Sequence, residues 1–194
     1  MKEMSLEQIA RACKGIYTGE DSRRSLEVSG VVIDSRKVES GYLFAAIKGE
    51  RVDGHSFIPS VFAKGAACVL CEQAPEHPAG PYILVDSCLE ALKSLAEYYR
   101  STLSIPIVGI TGSVGKTTTR EMVATALSAG FQVFKTPGNY NSQVGVPVTL
   151  SEIGQEDEIA VIELGMSEPG EMTVIARIAQ VDMAIITNIG VTHI

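Results

Sequence analysis

Ile105-Pro106-Ile107-Val108-Gly109-Ile110-Thr111-Gly112-Ser113-Val114-Gly115-Lys116-Thr117-Thr118-Thr119 is the stretch on which the fold turns. The apolar run at 105–108 leads in like a buried strand, and residues 121–129 lead out with helical spacing. A glycine-rich turn between strand and helix aims several backbone N–H groups at one point, where the helix N-terminus adds partial positive charge. Lys116 adds a full charge, and the Thr117 hydroxyl can hold Mg²⁺ on a nucleotide's phosphates. The stretch predicts a loop that binds a nucleoside triphosphate. The usual pattern, Gly-x-x-x-x-Gly-Lys-Ser/Thr, would put its first glycine where Ile110 stands; here the glycines fall at 109 and 112. The alternative is a glycine-rich turn that binds nothing. The order strand, Gly-x-x-Gly-Lys-Thr, helix weighs against it.

Downstream of the loop the alternation continues, with strand patterns at 132–135, 159–164 and 183–188 and a helix at 171–179. Such alternation predicts a parallel sheet covered by helices. Upstream lie a capped helix from Ser5 to about Cys13, strands at 28–33, 43–47, 68–71 and 82–85, a helix at 58–64 stopped by Gly65, and a proline-rich loop at 73–81. Ser87 caps a further helix with Leu89, Leu92, Leu95, Ala96 and Tyr99 on one face, and polar residues 100–104 follow. The expected fold class is α/β. A small mixed α/β N-terminal domain at 1–100 precedes a truncated P-loop-type parallel-sheet ATPase domain at 101–194. The chain stops just after a buried strand, where a parallel sheet needs a covering helix, so the second domain reads as cut short and the chain as a fragment.

The chain has 194 residues, 45% of them hydrophobic and 20% charged, as expected of a globular protein. Sixteen Lys and Arg against 23 Asp and Glu leave a net charge of −7, which argues against a broad basic face for nucleic acid. Anionic ligands must then be held locally, by loops and single cations. No apolar run approaches the ~18 residues of a membrane span, and the N-terminus has no signal-peptide core, so a cytoplasmic location is the default. Cys68 and Cys71 have C-x-x-C spacing, but no second pair accompanies them. With Cys13 and Cys88 they read as reduced core thiols.

Several polar groups fall where strands end. Glu163 closes the strand at 159–164, at the carboxyl edge where open α/β sheets bind ligands, and could hold Mg²⁺; the alternative is a solvated strand-end acid. His193 lies past the next strand on the same rim, or is a plain surface histidine. Residues 136–142 offer Asn139, Asn141 and neutral hydrogen-bonding groups suited to sugar hydroxyls and amides, or form an ordinary turn with Asn141 or Ser142 as an N-cap. Asp34-Ser35-Arg36 and residues 48–55 are polar clusters after first-domain strands. Arg36 could grip a phosphate with both arms of its guanidinium, or these are solvated turns.

Taken together, these segments resemble the Mur ligases, which build the peptidoglycan precursor. The run 109–118 is similar to that family's nucleotide loop, shifted glycines included. The most distinctive block is Thr136-Pro137-Gly138-Asn139-Tyr140-Asn141-Ser142-Gln143-Val144-Gly145-Val146-Pro147. Glu163-Leu164-Gly165-Met166-Ser167-Glu168-Pro169-Gly170-Glu171 and Thr187-Asn188-Ile189-Gly190-x-x-His193 are similarly close. Asp34-Ser35-Arg36, Gly41-Tyr42-Leu43-Phe44 and Asp53-Gly54-His55-x-Phe57 resemble an N-terminal domain found in the family. Val114 departs from the usual asparagine or serine, and Ser142 from a common asparagine.

Within the family, the resemblance is greatest to the ligase that joins D-alanyl-D-alanine to UDP-N-acetylmuramoyl-tripeptide through an acyl phosphate, with ATP and Mg²⁺. It implies that Thr111, Gly112, Ser113, Val114, Gly115, Lys116, Thr117 and Thr118 surround the nucleotide, with Lys116 on the β- and γ-phosphates. It implies Thr117, Glu163 and His193 around the metals, Lys116 and His193 as the catalytic pair, and Asn139 and Asn141 on nucleotide or muramoyl-peptide substrate. Ser35 and Arg36 would lie in a domain that holds the uridine diphosphate. A monomer is expected. Such ligases have three domains, so a segment with a carbamylated lysine, most of the adenine pocket and the C-terminal domain would lie outside these residues, and the chain alone is expected to be inactive. The alternatives are a binding module for the UDP-linked precursor and ATP, or the family's amino-acid-adding ligase. An unrelated GTPase switch lacks its Asn-Lys-x-Asp run here.

Overall fold

The computed structural model describes Met1, residues 4–49 and residues 52–190. It divides into two compact units, Met1–Leu95 and Ala96–Ile194. The first holds strands β1 (Ile16–Thr18), β2 (Gly30–Val32), β3 (Tyr42–Ala45), β4 (Cys68–Cys71) and β5 (Tyr82–Leu84), in the order β1-β5-β4-β3-β2. Strands β2 to β5 run parallel, and β1 closes the β5 edge antiparallel, with Tyr17 opposite Ile83. Helix α1 (Leu6–Ala12) begins at Ser5, whose hydroxyl accepts from the Gln8 N–H while the Gln8 side chain accepts from the Ser5 N–H. Helix α2 (Ile58–Ala63) follows a turn capped by Asp53. Its Ile58 and Val61 pack with Phe44, Val69 and Cys71 in one apolar cluster. Strand β4 is buried at all four positions, as a central parallel strand must be, so it reads as a continuous apolar run. Strand β1 goes unmarked in the sequence because it is three residues long and buries only Tyr17.

Helix α3 (Cys88–Thr102) carries the division between Leu95 and Ala96. The sequence pattern places it after Arg100 instead. The residues responsible are Ala96, Tyr99 and Arg100, whose partners belong to the second unit. The Tyr99 hydroxyl donates to Ile153 O at 2.7 Å. Buried Arg100 donates through Nε to Ala179 O at 3.1 Å, and through Nη2 to Gln180 O at 3.0 Å and Asp182 Oδ2 at 2.9 Å.

The second unit holds β6 (Ile107–Thr111), β7 (Val133–Lys135), β8 (Ile159–Glu163) and β9 (Met183–Ile186), all parallel in the order β7-β8-β6-β9. Alternation along the central strands builds two apolar layers. Val108, Ile110, Ile159 and Val161 face helix α4 (Lys116–Leu127) through Ala124. Ile107, Ala160 and Ile162 face α5 (Gly145–Glu152) and α6 (Glu171–Ala179) through Val146, Leu150, Ile175 and Ile178. Helix α5 is absent from the sequence reading because residues 145–151 are buried on every side, which erases the polar face that betrays a helix. Its proline, Pro147, sits in the first turn, where no intrahelical N–H is lost. Among the described residues, no helix is long and apolar enough to cross a membrane.

Two outcomes follow for stability and thiol chemistry. Arg100 joins the end of α3 to the last carbonyls of α6 and, through Asp182, to the Ile107 N–H at 2.7 Å. Arg100→Met is expected to cost about 2 kcal/mol, because it leaves the buried Ala179 carbonyl without its donor and breaks the pair with Asp182; urea unfolding monitored by circular dichroism measures it. Cys13, Cys68, Cys71 and Cys88 are all buried and unpaired. Burial pushes the Cys13 thiol up to about 12 and Cys71 to about 11, and raises Cys68 and Cys88 as well. Titration with a disulfide reagent at pH 8 should therefore find no fast-reacting thiol in the native protein and four after denaturation.

Candidate nucleotide-binding site

The loop after β6 is held open by two glycines in left-handed backbone. Gly112 has φ +131°, and a Cβ there would collide with Thr187 Oγ1 and meet Asn188 O at 2.9 Å. Gly115, at φ +85°, is the N-cap of α4, and a Cβ there would point into open space. Only glycine takes these conformations at small cost, which is why the loop must be glycine-rich whatever its exact spacing.

The segment after β9 fastens the loop from the other side. Asn188 accepts the Ser113 N–H on its main-chain oxygen at 3.1 Å and the Val114 N–H on its side chain at 2.9 Å. The Thr187 hydroxyl donates to Val114 O at 2.6 Å, and Ser113 Oγ exchanges bonds with Gly190. The N–H groups of Ser113 and Val114 therefore hold the loop rather than face a ligand. The donors left for an anion are those of the first turn of α4, at Lys116, Thr117 and Thr118, which no side chain caps. Lys116 Nζ folds back onto Gly112 O at 2.7 Å. An uncapped helix start, a lysine and open space above Gly115 fit a polyphosphate group.

Glu163 ends β8 with its carboxylate buried, at 3% residue exposure. The solvated-acid alternative is thereby set aside. Its Oε2 accepts from Thr117 Oγ1 at 2.9 Å and from Arg120 Nη1 at 3.2 Å. Its Oε1 accepts from Asn141 Nδ2 at 2.8 Å, and its own N–H donates to Thr136 Oγ1 at 2.9 Å. Thr117, Asn141 and Glu163, picked from separate stretches of sequence, thus meet in one cluster. The oxygen donors of Thr117 and Glu163 suit Mg²⁺, which takes one or two protein oxygens and completes its shell with phosphate and water. Among the described residues no group of three His, Cys, Asp or Glu gathers.

Other expected residues lie apart from this cluster. Asn139 is exposed on a turn, and its main-chain oxygen accepts the Asn141 N–H at 2.8 Å. Asn141 is not a helix cap; its side chain turns to Glu163, while Ser142 Oγ accepts the Gly145 N–H at 3.3 Å. Val114 is 65% exposed. His193 lies outside the described residues. Beside the loop, a cleft of about 570 Å³ is lined by Thr111, Ser113 and Lys116 on one side and by apolar Met166, Met172 and Ile189 on another.

Ser35 and Arg36 belong to the first unit. The Arg36 guanidinium forks onto Asp34, with Nε to Oδ1 at 2.9 Å and Nη2 to Oδ2 at 2.7 Å, and this contact with the adjacent N–H holds the Asp34 carboxyl down at about 2. Ser35 O accepts from Lys64 Nζ at 2.7 Å. Nearby in sequence, His55 places Nδ1 2.7 Å from Asp53 Oδ1 and accepts the Glu72 N–H on Nε2 at 2.8 Å. With Nε2 accepting, Nδ1 is the ring nitrogen left to donate to Asp53.

Sequence reasoning missed Arg120 and the buttress of Thr187 and Asn188, and it marked Thr136 as a hydrogen-bonding group without its partner, the Glu163 N–H. Nothing local marks Arg120, one charged residue on a helix among others. Thr187 and Asn188 stood inside a recognised block, but their use as a clamp on the loop requires β9 beside β6.

Residues 110–194 match the Mur ligase middle domain, and residues 27–100 match the Mur ligase family catalytic domain. The UDP-N-acetylmuramoyl-tripeptide--D-alanyl-D-alanine ligase of Bacillus subtilis is 40% identical over 195 residues, covering all of this chain and 42% of the relative. The chain thus spans about two fifths of that relative's length. The crystal structure of MurF from Acinetobacter baumannii superposes with a TM-score of 0.90 at 34% identity, over all of this chain and 42% of that one. MurF from Thermotoga maritima, solved in complex with ADP, superposes at 0.74 with 37% identity, over 83% of this chain and 38% of that one. With both units matched in order, the chain belongs to the Mur ligase family.

Proposed function

We propose that the chain supplies the UDP-substrate and ATP-binding part of a ligase that joins D-alanyl-D-alanine to UDP-N-acetylmuramoyl-tripeptide, acting in the cytoplasm as a monomer. The carrying observation is the meeting of Thr117, at the uncapped start of α4, with buried Glu163 at the end of β8. The reading is supported by the named activity of the relatives and by the ADP complex of one of them.

In this reading the residues do electrostatic and positioning work. The tripeptide carboxylate attacks the γ-phosphate of ATP, giving an acyl phosphate as ADP leaves; the amine of D-alanyl-D-alanine then attacks that carbonyl, and phosphate and a proton are released as the amide forms. Lys116 leaves Gly112 O and swings onto the β- and γ-phosphates, where its charge offsets that on the moving phosphoryl group. The first-turn N–H groups of α4 orient the phosphates in line with the attacking carboxylate. Mg²⁺, held by Thr117 with Glu163, would neutralise the triphosphate, and His193 would support a second Mg²⁺ near the acyl group. In this reading Asn141, which reaches Glu163, and Asn139, on the neighbouring exposed turn, meet nucleotide or muramoyl-peptide substrate, and Ser35 and Arg36 hold the uridine diphosphate in the first unit. Arg36 would meet the phosphate from a guanidinium whose Nε and Nη2 are forked onto Asp34.

Lys116→Ala is expected to abolish measurable Mg²⁺-dependent ATP uptake by calorimetry. In the complete ligase it should lower turnover at least ~10²-fold, the scale of losing one preorganised electrostatic contact. Unchanged uptake and turnover would refute the assignment.

A further inference from the structure

Arg120 lies in the second turn of α4, with its side chain only 6% exposed, and touches three partners. Nη1 donates to Glu163 Oε2 at 3.2 Å and to Gly138 O at 2.9 Å. Nε and Nη2 donate to Glu121 Oε1 at 3.2 and 2.7 Å. Glu121 is in turn paired with Lys135. Lys135, Glu121, Arg120 and Glu163 therefore form a row of alternating sign whose formal charges cancel.

This row changes what Glu163 can do. Its two oxygens already accept from Thr117, Arg120 and Asn141, and its charge is balanced. An arriving cation competes with these three donors for the carboxylate, and it also faces the charges of Lys116 and Arg120. Of the three donors, Arg120 makes the longest contact, and it keeps Gly138 O and Glu121 when it lets Glu163 go. A triphosphate reverses the balance, because it brings several negative charges to Lys116 and the helix start.

We propose that Arg120 is the resident counter-ion of Glu163, a positioning residue that withholds this carboxylate from divalent cations until the nucleotide's phosphates arrive. Metal and nucleotide then bind as a coupled pair, each strengthening the other by the same factor. The proposal rests on the reading of the loop as a triphosphate site with Mg²⁺ between Thr117 and Glu163.

The test uses Mn²⁺ as the probe. Its free signal is followed by electron paramagnetic resonance on the purified protein, with and without a non-hydrolysable ATP analogue. Arg120→Gln should raise nucleotide-free Mn²⁺ affinity at least ~10-fold, and the tightening conferred by the analogue should shrink by the same factor. Arg120→Lys should restore wild-type behaviour, which a merely structural role would not predict. Nucleotide-free affinity within about twofold of wild type, in an Arg120→Gln protein with native circular dichroism, overturns the proposal. Should that variant not fold, exposed Glu121 decides: Glu121→Gln leaves Arg120 more fully committed to Glu163. It should weaken Mn²⁺ binding with the analogue about threefold, and unchanged or tighter binding overturns the proposal. Wild-type protein that takes up Mn²⁺ equally with and without the analogue would overturn the triphosphate-site reading itself, and this proposal with it.

Discussion

A carboxylate buried at the end of a central strand is the constraint from which the second unit's geometry follows. An ionised Glu163 left without partners would cost several kcal/mol, so the fold must bring donors to it. Thr117 and Arg120 come from α4, Asn141 from the segment before α5, and Thr136 secures the strand's own N–H. Satisfying one group thus fixes the start of the helix, the turn at 136–141 and the strand end against each other. The loop between β6 and α4 inherits its position from that arrangement. It needs only glycine at 112 and 115 and the clamp of Asn188 to be held open.

The chain's charge makes sense at the same scale. A net charge of −7 gives the chain no overall field that favours anions, so any anion site has to be local. Lys116 and the bare N–H groups of α4 collect positive charge within one helix turn, beside an Arg120 already balanced by Glu163 and Glu121, while most acidic groups are spread over exposed surface. Asp34 shows the same economy in the first unit. Its carboxylate, held well below the usual range by Arg36, keeps that guanidinium engaged in an exposed turn.

Much of this was legible because its signals are local. The phosphate loop declares itself through glycine, lysine and threonine at fixed spacing between a strand and a helix, and β4 and β8 through continuous apolar runs. Residues whose role depends on partners distant in sequence were not legible. Arg120 meets Glu163 across 43 positions, and Arg100, which reads as the start of a polar linker, meets Asp182 across 82. Helix α5 escaped for the opposite reason: its burial is so complete that no periodicity survives.

The amino-acid sequence by itself determined the α/β alternation, the existence of a phosphate-type loop and the family, since these rest on backbone freedom, hydrophobic period and short motifs that need no partner. Tertiary structure alone decided that Ser113 and Val114 spend their N–H groups on Asn188, that Asn141 turns to Glu163 instead of capping a helix, and that the unit boundary falls inside α3. The reason is that a hydrogen-bonding group takes whichever partner the packed strands and helices bring within about 3 Å, and sequence spacing does not contain that choice.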